Sequence, residues 1–135
     1  MSLPDTDVIL RTYLLTNAAL TALVGTRVYC PAAPENATLP NVTFFTRGGR
    51  ATPYIPDMPN PSVQIDAWAD DPLEARSIYR AVYDALQGIQ NVAVVVGATT
   101  YHIEGAEEEV QGQDLVDVDI PGRYRCLSFW SIIVK

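Results

Sequence analysis

Seven acidic residues lie between Glu104 and Asp119 with no Lys or Arg among them, the densest run of chemically capable groups in this chain. Glu107, Glu108, Glu109 and Asp114 form its centre. The spacing Asp114-x-x-Asp117-x-Asp119 offers hard oxygen donors of the kind calcium takes, but the D-x-[DN]-x-[DN]-G-x5-E order of a calcium loop is missing. Two readings stay open. The run is a solvated loop leading into an edge strand, or a wall of negative potential facing DNA in a pore. His102 is the only histidine, set between Thr100 and Glu104 on one face of an expected strand. As a general base it would need a nucleophile from elsewhere, Cys30 or Cys126, and nothing in the sequence recommends that pairing. Gly48-Gly49 is followed by no Lys-Ser/Thr and opens no helix, so it is no phosphate loop. No cofactor, metal or enzymatic activity is expected.

A second group of residues suits contact, not catalysis. From Gly48 to Pro61 the chain holds two glycines and four prolines, which predicts an irregular connection. It is long for a hairpin, whose loops are commonly two to five residues. Arg50, Tyr54, Ile55 and Met58 lie in it, and Arg, Tyr and Met are enriched at the cores of protein interfaces. The segment reads as a partner-binding loop, with a loop folded back over its own sheet edge as the alternative.

These groups must be positioned by an α+β domain spanning residues 1–135, with a largely antiparallel sheet and two main helices packed on it. Asp5-Thr-Asp7 supplies helix-capping residues, and Ile9, Leu10, Tyr13 and Leu14 follow at helical spacing. Asn17 caps a second short turn over Ala18 to Val24, which Gly25 closes. Strands are expected at Arg27–Cys30, Asn41–Thr46 and Ser62–Ala69. Asp71, Pro72 and Glu74 open the best-specified helix, whose apolar stripe is Ala75, Ile78, Tyr79, Val82, Leu86 and Ile89. Arg76, Arg80, Asp84 and Gln87 form its solvated face. A hairpin over Asn91–Ile103, turning at Gly97-Ala98, comes next. The last strand, Gly122 to Val134, is apolar on both faces. Tyr124, Cys126, Trp130, Ile132 and Val134 take one side and Leu127, Phe129 and Ile133 the other. Such a strand is expected inside a sheet covered on both sides.

With 135 residues, 48% hydrophobic and 19% charged, the chain has the composition of a globular protein. A net charge of −7 with only nine scattered Lys and Arg argues against generic nucleic-acid binding. The same charge would let DNA slide through a channel without adhering. No apolar run reaches membrane-spanning length, and Met1 to Asp7 lacks the features of a signal peptide. The two cysteines are expected as buried, unpaired thiols of a protein that folds in a cytosol.

Several stretches, taken in order, resemble one family: the tail-completion or tail-terminator proteins of long-tailed phages, prophage tails and gene-transfer particles. They are Leu15-Thr-Asn-Ala-Ala-Leu-Thr-Ala-Leu-Val-Gly-Thr-Arg-Val-Tyr29, Leu39-Pro-Asn-Val-Thr-Phe-Phe45, Val63-Gln-Ile-Asp-Ala-Trp-Ala69, the helix from Leu73 to Leu86, and Gly122-Arg-Tyr-Arg125. The resemblance implies a virion subunit at the head-proximal end of the tail, closing into a hexameric ring on the tail tube. Its partners would be other copies of itself, the tail-tube protein and a head–tail connector or stopper protein, with no membrane involved. DNA would pass through without specific binding. The alternatives are a head-side stopper or adaptor, a tail-tube subunit, or, from a different class, a small ligand-binding domain or enzyme.

Overall fold

The computed structural model describes residues 4–50, 58–116, 119–120 and 122–135. Among the described residues three helices pack on one six-stranded sheet, one more than the two main helices expected. Helix α1 (Thr6–Thr16) starts where the Asp5 carboxylate accepts from the N–H groups of Asp7 and Val8 at 3.1 and 3.4 Å. That occupies donors a helix start leaves open. Asn17 ends α1 and caps α2 (Ala18–Val24) through its side chain, 3.0 Å from the Leu20 N–H. The expected short turn is thus a helix in its own right, with Leu20 and Val24 buried. Gly25 closes it at φ 60°.

The strands are β1 (Val28–Tyr29), β2 (Asn41–Arg50), β3 (Asn60–Ala69), β4 (Gln90–Val96), β5 (Thr99–Val116) and β6 (Tyr124–Val134). Their order is β1-β2-β3-β6-β5-β4, all neighbours antiparallel except β1 with β2. Helix α3 (Pro72–Leu86) begins with Asp71 accepting from the Leu73 N–H at 2.9 Å, and its stripe from Ala75 to Leu86 is buried as expected. Ile89 falls beyond the helix end, partly buried against the core.

Three expectations are corrected. The stretch from Gly48 to Pro61 is not irregular throughout: β2 runs to Arg50 and β3 starts at Asn60, with Gly49 opposite Pro61. A register shift between Thr46 and Gly49 absorbs the two glycines. From Glu104 to Asp114 the acidic run is no solvated loop, because β5 continues to Val116, paired with β6 over its second half. Pairing with an apolar central strand outweighs the poor strand preference of Glu, Gln and Gly there, with three register shifts along the way.

The third correction concerns β6. It is central, as expected, but only one of its faces is sealed. Cys126, Ser128, Trp130, Ile132 and Val134 are buried under the helices, while Arg125, Leu127, Phe129, Ser131 and Ile133 are only half-buried. Among the described residues, the helices cover one face of the sheet and leave the other open.

Candidate partner-binding surface

The open face is assembled from alternate residues of the central strands. Antiparallel register sets Asp66 opposite Leu127, Gln64 opposite Phe129 and Trp68 opposite Arg125, with Thr43 and Phe45 of β2 beside them. Apolar groups on this face are roofed by arginines. The Arg47 guanidinium lies 4.0 Å from the Phe129 ring centre, and Arg123 and Arg125 lie 4.4 and 5.3 Å from that of Trp68. A guanidinium is weakly hydrated and stacks on aromatic faces, so it shields a ring without drying it fully. Arg47 also pairs with Glu109 at 3.8 Å, and the Ser62 hydroxyl donates to Glu109 Oε1 at 2.8 Å.

Asp66 is the unusual group here. It is 4% exposed, and its Oδ1 is buried with no hydrogen bond. Oδ2 accepts from Gln64 Nε2 at 3.2 Å, and Arg125 stands 3.8 Å from Oδ1. Burial pushes this carboxyl up from its ordinary pKa, against smaller downward pulls from Gln64 and Arg125. Thr43 accepts from the Trp68 indole N–H at 2.9 Å and fixes that ring in place.

The acidic residues singled out in the sequence do not form one surface. Glu107, opposite Ser131, and Glu109 lie on the open face. Glu108, opposite Trp130, faces the helices, where the Tyr79 hydroxyl donates to its Oε2. Asp114 lies on the helix side too, 3.7 Å from Arg76. Arg76 is therefore less free than its place on a solvated helix face implies, since it also donates to Gly112 O at 2.9 Å. Of the proposed loop residues, Arg50 ends β2, Met58 is half-buried just before β3, and Tyr54 and Ile55 fall outside the described residues.

A histidine–cysteine pair is not built. His102 lies opposite Ala93 on β5, whereas Cys126 faces α3 from β6 and Cys30 follows β1 at the far edge of the sheet. Both thiols are free. Burial raises Cys30 to about 12, with Asp7 adding to the effect, and raises Cys126 to about 11 against the pull of Arg76. A raised thiol pKa lowers the thiolate fraction, so at pH 8 both should react with Ellman's reagent more than about a hundredfold more slowly than free cysteine, Cys30 more slowly than Cys126. Fast labelling of the folded protein would contradict the packing around them.

Sequence reasoning missed Asp66, Trp68, Arg123 and Arg125 as a group. Two of the stretches that carry the family resemblance, Val63–Ala69 and Gly122–Arg125, pair side by side to make it. The signal was the alternation of polar and aromatic residues on the outward side of each strand. The two stretches are far apart in the chain, and only the pairing joins them.

The family described as Tail completion protein gp17 matches residues 9–121. The chain belongs to this family. A search of the curated proteins gives no significant match. A tail completion protein is a structural part of the phage virion that caps or joins the tail, and the family is not an enzyme family. Family membership implies contact with components of the tail tube and of head joining. Among the described residues, no group of three or more His, Cys, Asp or Glu is placed to hold a metal ion, and no single helix is long and apolar enough to cross a membrane.

Proposed function

We propose that copies of this tail completion protein close into a ring, hexameric as the family resemblance implies, on the last ring of the tail tube. The ring ends polymerisation and presents a new face to the head connector. The observation that carries this reading is the open sheet face, a band of half-buried apolar residues roofed by arginines in a subunit whose opposite face is sealed by helices. A face that is partly apolar and shielded by cations suits docking, because it stays soluble alone and loses little on being covered. A head-to-tail contact closes into a ring when its rotation divides a full turn. In this reading Glu107 and Glu109 put negative charge where DNA passes, and the segment from Arg50 to Met58 meets the tube or the connector. The domain is taken to span residues 1–135, with assembly in the host cytoplasm.

The test is electron microscopy of particles from a producing strain with an early stop codon in this gene. Headless tails of uncontrolled length are expected. Tails of normal length that fail to join heads would move the role to the head-side stopper, and complete infectious particles would overturn it.

A further inference from the structure

A cavity of about 290 Å³ opens on the bare sheet face, lined by Phe45, Gln64, Asp66, Trp68, Arg123 and Arg125. Its floor is a buried carboxylate with a guanidinium beside it. Asp66 is 4% exposed, and its Oδ1 has no hydrogen bond because Arg125, at 3.8 Å, attracts it without donating to it. The rim is cationic in a chain of net charge −7. What fits is an acidic projection with an apolar tip.

The same chain carries one beyond the end of β3, two residues past Trp68. Where α3 begins, Leu73 is 77% exposed, the most exposed large apolar side chain among the described residues, and exposed Asp70 and Asp71 stand next to it. We propose that in the assembled ring the Asp70–Leu73 corner of one copy seats in the Asp66 cavity of the next. Leu73 then packs against Phe45 and Trp68, and the acidic residues meet Arg123 and Arg125. A guanidinium has five N–H donors, enough to hold a carboxylate on each side. Arg125 then stands between two carboxylates, Asp66 below it and the incoming aspartate above, and offsets charge on both. Corner and cavity are different patches of the subunit, so a contact of one copy's corner with the next copy's cavity is head-to-tail, the type that generates rings. This inference rests on the ring proposed above and names its contact.

Particles carrying both Ala32→Cys, on the cavity wall, and Ser77→Cys, one helical turn past Leu73 on α3, test it, since both positions are exposed. Oxidation with copper phenanthroline should give covalent multiples of the chain up to the ring size, reversed by dithiothreitol. Each single variant should assemble and stay uncrosslinked. Adding Asp70→Arg should slow the crosslinking about tenfold. Double-variant particles that assemble yet remain uncrosslinked would overturn the contact, and an unchanged rate with Asp70→Arg would overturn the charge pairing. If unsubstituted tails contain none of this chain, the ring reading itself fails, a result visible before any cysteine is introduced.

Discussion

Trp130→Ala is expected to lower the stability of the isolated protein by about 3–5 kcal/mol, the usual cost of emptying a buried aromatic site. That corresponds to a fall in Tm of roughly 10–20 °C for a chain of this size. Trp130 is fully buried, its ring 6.1 Å from that of Tyr83, and its indole N–H donates to Ser128 Oγ at 2.9 Å. Removal leaves a cavity between β6 and α3 and strands the buried Ser128 hydroxyl without that donor. The neighbouring change, Phe129→Ala, should behave differently. Phe129 is half-buried on the open face under Arg47, so its loss should cost under about 1.5 kcal/mol while reducing assembly into tails. Two aromatic residues adjacent in sequence would then separate folding from docking. Chemical denaturation measures the first effect and particle yield the second. Equal destabilisation by the two changes would mean that the outer face is as well sealed as the inner one.

That contrast was only half legible in the sequence. Alternation along Tyr124 to Val134 assigned each side chain to the correct side, and the centrality of β6 followed from its two apolar stripes. Coverage did not follow. Whether a face is roofed by helices depends on how many helices exist and where they pack, and three short helices suffice for one face only. Asp71, Pro72 and the stripe of α3 were readable because capping and helical spacing are local properties. The second half of β5 was not. Its residues from Glu107 to Asp114 prefer no strand by themselves, and their conformation is set by β6, which comes later in the chain. The candidate site failed in the same way. Asp66 reads as one polar residue of an alternating strand, and its burial arises from Trp68, Gln64 and Arg125 closing around it. The acidic run was found by composition, but composition cannot divide it between faces. The register shifts in β5 send Glu108 to Tyr79 and Glu109 to Arg47.

The largest effect from the smallest change is expected at Gly49. Gly49→Ala should destabilise the protein by about 3 kcal/mol or more, through two costs that add. The backbone there has φ 127°, a region side chains rarely adopt, and an added Cβ would lie 2.5 Å from Asn60 O and 2.6 Å from Pro61 Cα. Those atoms are backbone of β3, so no side chain can swing aside, and relief requires moving the strand. Gly48 is the built-in control. Its φ is 100°, but a Cβ there would meet nothing within 4 Å, so Gly48→Ala should show the conformational cost alone, about 1–2 kcal/mol. The difference between the two, measured by urea titration, isolates the close approach that lets β2 pass its register shift and stay paired to Arg50. Because Arg47 and the pairing of Gly49 with Pro61 lie at the border of the open face, Gly49→Ala should also release Arg47 from Phe129 and impair tail completion beyond what its stability loss predicts. If Gly48→Ala and Gly49→Ala prove equal, the strand does not run through this point as described. The chain would then be closer to the irregular connection that its glycines and prolines suggest.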